Sequence, residues 1–404
     1  MRGPPKRFNP HPFVYHEELD LEIETLTNLG KGLGRAGDWV VMAPFSLPGE
    51  KVRVRIFRNY KNYSEADLLK VLEPSPCRVE PHCPLFGACG GCQYQHLDYK
   101  EQLKWKQRQV EELLESLAEA KIPVNPVRPS PKQYGYRSKI TPHFQRPRQA
   151  QALKIGFQHW SSRQLVDVPQ CPLATEDINQ ALAEERKNIR SHSRQYRKGK
   201  TLLLREALEG VVSDPNAIIS EQVGQQIFQF QAGTFFQNNP FLLPEMVAYV
   251  TEEAQGEGIR FLLDVYCGVG VFSLAASAFF ERCLGIEISP QSIHWANANA
   301  LINKISNCHF FVGEAAALFS RVDSDPDQTS IILDPPRKGC EQSLLRQLWA
   351  FRPRQVVYVS CDPATQARDI RQFLNEGYTV ARVQPFDLFP QTRHIENIVT
   401  LKRV

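Results

Sequence analysis

Between Gly233 and Val404 the sequence alternates short apolar runs with helix-like stretches. The runs are FLLDVY, CLGIEI, CHFFVG, SIILDPP and QVVYVS, and helical patterns lie between most of them. Strands alternating with helices build a doubly wound parallel sheet. The chain then closes with YTVARVQPFDLF and HIENIVTLKRV, two strands joined by a short loop. A terminal hairpin on a parallel sheet is a departure from plain α/β alternation, and it narrows the class of fold.

The first run leads into a glycine turn, LLDVYCGVGVFSLAA. Gly268 and Gly270 let backbone approach a ligand at the carboxyl end of the first strand. The second strand ends at Glu287, about 20 residues after the glycines, where a carboxylate can accept hydrogen bonds from both ribose hydroxyls. The third glycine of a dinucleotide fingerprint is replaced by Ser273. That glycine serves close packing beside a pyrophosphate, so its absence favours a nucleoside cofactor without a diphosphate, S-adenosylmethionine, over a dehydrogenase cofactor. Asp334, in ILDPPRKG, ends the fourth strand. It either caps the two prolines or works at the cofactor or the reacting base. Amine-methylating enzymes place an aromatic ring after such prolines; Arg337 stands there instead, which argues against methylation of an exocyclic amine.

Cys361 ends the fifth strand, beside the cofactor crevice. A free cysteine is most often a small buried residue. At this place it has a chemical alternative. Carbon 5 of a pyrimidine is too weak a nucleophile to take a methyl group directly. Addition of a thiolate to carbon 6 creates an enolate whose carbon 5 can attack a sulfonium methyl, and a base must then remove the carbon 5 proton so that the thiol is expelled. Glu396, on the final strand, is the preferred base, because a carboxylate on an apolar strand is costly unless used or exposed. His394 is the rival.

The remainder of the chain reads as two further zones. From about Pro12 to Val71, β-prone segments at Leu19–Leu26, Trp39–Ala43, Val52–Phe57 and Ala66–Val71 are separated by glycine-rich turns, which suggests a small barrel. Lys51, Arg53, Arg55, Arg58 and Lys61, interleaved with Phe57, Tyr60 and Tyr63, suit either a nucleic-acid surface or an ordinary solvated face. The second zone opens with EPSPCRVEPHCPLFGACGGCQYQHL, an irregular loop carrying Cys77, Cys83, Cys89 and Cys92. An amphipathic helix follows from about Asp98 to Ala120, then mixed strands, Cys171, and the basic stretch RKNIRSHSRQYRKGKTLLLR, for which contact with RNA is expected. The start of the sequence lacks an apolar signal stretch and no run is long enough to span a bilayer, so a cytoplasmic protein with no membrane partner is expected. In that compartment ten cysteines are not a disulfide framework. The net charge of +4 is compatible with a polyanionic partner without pointing to one.

The motifs FFQNN, DVYCGVGVFSL, LDPPRKG, VSCDPATQARD and HIENIV together resemble the RNA uracil-C5 methyltransferases, which act on 23S rRNA or on the T-loop of tRNA. The resemblance implies that Gln237, Tyr266, Glu287 and Asp334 bind S-adenosylmethionine, that Cys361 is the nucleophile and that Glu396 is the general base. Asp362 stands where the family usually has Asn. The first zone resembles a TRAM domain, an oligonucleotide-binding-type barrel. Cys83, Cys89 and Cys92, with Cys171 as fourth thiolate, suit structural zinc or a [4Fe–4S] cluster by spacing alone. CPLFGACGGC is similar to the family's iron–sulfur motif, so the resemblance implies the cluster, with Cys77 a bystander.

The expected architecture is a TRAM barrel over residues 1–75, a central α+β iron–sulfur and RNA-binding domain over 76–232, whose helix 98–120 can pack on the catalytic domain, and a Rossmann-like methyltransferase domain over 233–404. The expected activity is methylation of a uridine carbon 5 in RNA, with 23S rRNA as first expectation and the tRNA T-loop as the alternative. No obligate protein partner shows in the sequence. A non-catalytic RNA chaperone on the same scaffold is opposed by intact Cys361 and Glu396. A DNA cytosine-C5 enzyme is opposed by Pro335-Pro336 followed by Arg337 with no cysteine directly after.

Overall fold

Alternation in KVRVRIF sends Val52, Val54 and Ile56 to one face, and in the computed structural model that face is the inside of a barrel. The structure describes residue 5 and residues 8–145, 153–192 and 198–404. Strands β1 (Glu18–Leu26), β2 (Lys31–Ala36), β3 (Trp39–Pro44), β4 (Lys51–Asn59) and β5 (Tyr63–Glu73) close in the order β1-β2-β3-β5-β4 around Leu21, Ile23 and Val41. Strand β2 was not expected, because KGLGRA reads as a turn. Its glycines serve close approach instead: a Cβ on Gly32 would lie 2.2 Å from Ser46 Oγ, and one on Gly34 2.3 Å from the Glu22 carbonyl oxygen.

The barrel's basic face is largely neutralised. Lys51 pairs with Glu73, Arg53 with Asp20 and Arg55 with Asp67. Arg58 leans on the ring of Tyr60, which stacks on Tyr63 with centroids 4.5 Å apart. The basic stretch further on includes residues 193–197, which lie outside the described residues. At its start Arg186 and Arg190 grip Asp167, and at its end Arg205 is buried against Glu221.

The chain divides into two compact units. The first runs to Gln109 and takes in 157–166 and 391–393; the second comprises 110–156, 167–390 and 394–404. The segment 76–232, expected as a central domain, contributes to both.

The second unit is built on a seven-stranded sheet of β6 (Phe261–Val265), β7 (Arg282–Glu287), β8 (Cys308–Val312), β9 (Thr329–Leu333), β10 (Gln355–Ser360), β11 (Tyr378–Phe386) and β12 (Glu396–Arg403). Their order is β8-β7-β6-β9-β10-β12-β11; the first five are parallel and β12 runs antiparallel to both neighbours. The helices are α1 (Tyr99–Leu117), α2 (Glu176–Ser191), α3 (Leu243–Ala254), α4 (Val271–Ala276), α5 (Pro290–Ile302), α6 (Gln342–Phe351) and α7 (Pro363–Asn375). Successive strand residues point to opposite faces. Leu262, Ile332 and Val357 therefore join one core with α3 and α5, and Leu263, Ile331 and Val356 join another with α6 and α7. Val110 and Leu114, in the second half of α1, belong to that latter core.

A hairpin of Ile218–Val223 and Gln226–Gln231 is tied to α5 by two asparagines one turn apart. Asn299 accepts from the Gln229 amide at 2.7 Å and donates to its carbonyl at 3.2 Å; Asn303 treats Ile227 the same way, at 3.0 and 2.7 Å. The two side chains offer the hairpin what a neighbouring strand would offer.

Candidate active site

Parallel strands deliver their carboxyl ends to one edge of a sheet, so Tyr266 after β6, Glu287 at the end of β7, Asp334 after β9 and Cys361 after β10 emerge together. Strand β12 is antiparallel, so its amino end, Glu396, arrives at the same edge. These five residues and Gln237 line one cavity of about 1120 Å³ in the second unit. The terminal hairpin thus adds a residue of an antiparallel strand to the edge where the parallel strands end.

The turn after β6 is tightly held. Tyr266 adopts φ 67°, and its amide and that of Cys267 donate to the Ile286 carbonyl at 3.0 and 3.1 Å. Gly270, at φ 88°, packs so that a Cβ would sit 3.0 Å from Phe310 Cζ. Ser273, at the position of the absent third glycine, donates its amide and hydroxyl to Asp264 Oδ2 at 3.1 and 2.6 Å. Serine there is an anchor: it fastens the start of α4 to a carboxyl buried in β6. Burial pushes Asp264 up to about 6.

The cavity wall is acidic. Desolvation, reinforced by the charges of Asp264 and Glu287, raises Asp334 to about 7. Glu396 is 1% exposed, and burial followed by the charge of Asp334 pushes it well above the usual carboxylate range. At Gly268 an added Cβ would meet nothing within 4 Å, leaving open space beside the turn. Carboxylates around an open cavity suit a cationic occupant carrying a ribose, so this donor set fits S-adenosylmethionine.

Cys361 and Glu396 are held by register. Ser360 pairs with Asn397 across β10 and β12, and the two side chains come one residue beyond that pair on either strand. Gln366 on α7 locks the junction, donating to the Tyr358 and Asn397 carbonyls at 2.8 and 3.1 Å while Asn397 donates back at 2.7 Å. The Cys361 thiol is pushed up to about 11, first by burial and then by the charges of Glu396 and Asp334; the positive charge of Arg337, which lines the same cavity, works the other way. Sequence reasoning read Arg337 only as a missing aromatic ring. Its place beside the thiol was not anticipated, although a cation directly after the paired prolines of a strand end was the available signal. His394 also lines the cavity, edge-on to Phe389 at 5.9 Å.

Asp362 takes no part in holding Glu396. Its Oδ1 caps α7, accepting from the amides of Ala364 and Thr365 at 3.1 and 3.3 Å. Asn and Asp are about equally good in that role, so the departure from the family's usual Asn is structurally mild.

Of the cysteines expected to hold a metal centre, Cys83, Cys89 and Cys92 belong to the first unit and Cys171 to the second. Among the described residues no group of three or more His, Cys, Asp or Glu is arranged to hold a metal ion. Buried Gln95 bridges two of the cysteines, accepting from the Cys83 amide at 2.9 Å and donating to Cys92 Sγ at 3.1 Å. The donor chemistry suits a cluster; the side-chain arrangement does not display one.

Residues 218–404 match the family described as tRNA (uracil-5-)-methyltransferase, and residues 16–69 match the TRAM domain. Over 419 residues the chain is 38% identical to the tRNA (uracil(54)-C(5))-methyltransferase of Schizosaccharomyces pombe, covering 97% of this chain and 80% of that protein. The chain belongs to the tRNA (uracil-5-)-methyltransferase family. It is an S-adenosylmethionine-dependent RNA methyltransferase. The tRNA (uracil(54)-C(5))-methyltransferase of Saccharomyces cerevisiae is 33% identical, with 98% of this methyltransferase and 75% of that protein covered. An uncharacterized RNA methyltransferase of Synechocystis is 32% identical over 96% of both chains. Among solved structures, that of the Pyrococcus abyssi tRNA (uracil-54, C5)-methyltransferase in complex with S-adenosyl-L-homocysteine gives a TM-score of 0.71 at 24% identity, covering 95% of this chain and all of that one, which shows a shared fold.

Proposed function

We propose that this methyltransferase modifies carbon 5 of a uridine in the T-loop of tRNA, through a covalent bond between Cys361 and the uracil, with Glu396 as base. Identity to two fungal tRNA (uracil(54)-C(5))-methyltransferases supports tRNA over the 23S rRNA that the motifs first suggested. The observation that carries the mechanism is the rung of β10 and β12 that sets Cys361 beside Glu396 in the cavity lined by Gln237, Tyr266, Glu287 and Asp334.

S-adenosylmethionine supplies a methyl group on a sulfonium. Glu287 would accept hydrogen bonds from its ribose hydroxyls and Asp334 would face its charge, both lining the same cavity. The target uridine leaves its stack to enter the cavity, which costs a few kcal/mol. Cys361, its proton given up to solvent, would bond carbon 6; the electron pair of the 5,6 double bond becomes an enolate, and carbon 5 would take the methyl as its bond to the sulfonium breaks, leaving S-adenosylhomocysteine. Glu396 then accepts the carbon 5 proton, the double bond re-forms, and the thiolate leaves. Arg337 holds the thiolate by charge, against the pull of the carboxylates. Glu396 is favoured over His394 because the Ser360–Asn397 pair puts it directly across the strands from Cys361.

Unmodified tRNA and 23S rRNA transcripts, offered with labelled cofactor, decide between the substrates. Label in the tRNA T-loop alone is expected; label in 23S rRNA alone would reverse the assignment. An iron–sulfur cluster on Cys83, Cys89, Cys92 and Cys171 belongs to the same proposal, supported by the likeness of CPLFGACGGC to the family's iron–sulfur motif and by the Gln95 bridge between Cys83 and Cys92. Iron and acid-labile sulfide in anaerobically purified enzyme should both be stoichiometric, and enzyme free of both would remove the cluster from the reading.

A further inference from the structure

The residues that follow Asp334 make a tight turn. The Gly339 amide donates to the Pro336 carbonyl at 2.8 Å and Gly339 sits at φ 79°. Three residues on one face of α7 grip that turn at successive points. Thr365 Oγ1 donates to the Arg337 carbonyl at 3.1 Å, Arg368 Nη2 donates to the Lys338 carbonyl at 3.1 Å, and Asp369 Oδ2 accepts from the Cys340 amide at 2.9 Å. The fit leaves no slack, since a Cβ on Gly339 would lie 2.6 Å from both Arg368 Nη2 and Asp369 Oδ2.

Asp369 is wholly buried, yet it is satisfied only as a carboxylate. Besides the Cys340 amide it accepts from the Tyr358 hydroxyl at 2.8 Å and from Arg368 Nε and Nη2 at 3.0 and 2.8 Å. Four donors converge on two oxygens. An amide there would turn an N–H group toward one of them. The same helix is capped by Asp362, the residue directly after Cys361, so its amino end lies beside the thiol while Thr365, Arg368 and Asp369 in its first two turns fix the loop that carries Arg337. None of this is needed to hold α7 on the sheet, which Ile370 and Phe373 do by burial.

We propose that Asp369 is a positioning residue: by clamping the Arg337–Cys340 turn to α7, it keeps the Arg337 guanidinium in the cavity that Cys361 also lines, beside the thiol, and so sets the reactivity of the nucleophile. This rests on the reading of Cys361 as nucleophile. A nearby cation stabilises a thiolate, and a displacement of about 1 Å removes much of that effect.

The test is the pH profile of Cys361 alkylation by iodoacetamide, followed by peptide mass spectrometry in the full-length enzyme. Asp369→Asn should move the profile up by about one unit and slow single-turnover methyl transfer about tenfold or more, with KM for S-adenosylmethionine little changed. Thr365→Val, which removes a clamp without touching the buried charge, should shift the profile the same way by less, and it serves if Asp369→Asn folds poorly. Profiles of both variants superimposing on the parent would overturn the proposal. The underlying reading fails separately: it falls if Cys361→Ala still methylates RNA, whatever Asp369 does.

Discussion

At the scale of single residues, the site is a balance of few charges in a confined space. Two cysteine states and one carboxylate carry the chemistry, and Glu396 is expected to matter only after methyl transfer. Glu396→Gln should therefore still form the covalent adduct with ordinary tRNA and accumulate it, while turnover falls about a hundredfold or more. Denaturing gels that show no adduct in this variant would move the base role elsewhere, His394 being the neighbour to test. Asp264 gives a second prediction. Burial lifts it from 3.8 to about 6. A carboxyl raised in this way stabilises the fold in its neutral form; that contribution is complete below pH 3.8 and is lost as pH climbs through 6. The Asp264 contribution to the thermal midpoint of ligand-free enzyme should fall between about pH 4 and about pH 6, and Asp264→Asn should flatten that fall. An unchanged slope in the variant would contradict the assignment of the titration to Asp264.

At the scale of elements, polar side chains do work that apolar patterning does not reveal. The Asn299 and Asn303 pair satisfies four backbone groups on one strand of the 218–231 hairpin. Each Asn→Ala exchange strands two of them, and a destabilisation of about 1–3 kcal/mol per site is expected in urea melts. A loss below a few tenths of a kcal/mol would mean that the hairpin is held by its apolar contacts alone. The strands of the sheet were legible because buried strands are apolar runs. Strand β2 was not, because glycine required for close approach looks like glycine required for a turn. The hairpin's attachment was not, because asparagines on a helix read as a solvated face. Glu287, Asp334 and Cys361 were legible because parallel strand ends converge by topology, and Glu396 because a carboxylate stands out on an apolar strand; Gln237 and Tyr266 came from the resemblance alone. Arg337 beside the thiol and Asp369 behind it depend on how α7 meets a loop distant in sequence, and no local pattern encodes that.

At the scale of the whole molecule, a net charge of +4 says little until the charges are placed. Three of the five cations on the barrel's basic face are bound to carboxylates. Exposed pairs of this kind contribute little to stability, but they also release few counterions when a polyanion arrives. Arg53→Ala should therefore change the Kd for tRNA by no more than about twofold at physiological salt. A loss of about tenfold, with a salt dependence shallower by about one charge, would show that Asp20 yields Arg53 to phosphate. The cysteine loop shows the opposite limit of sequence reading: its spacing names thiolate ligands but leaves zinc and iron–sulfur equally open, and only the resemblance separates them.

The central claim is a bond between one sulfur and one carbon. Full-length enzyme, incubated with S-adenosylmethionine and tRNA containing 5-fluorouridine, should give a stable protein–RNA complex whose linkage maps by mass spectrometry to the peptide containing Cys361, with a methyl group retained on the pyrimidine. A complex mapped to any other residue, or 5-methyluridine formed by Cys361→Ala, would contradict it.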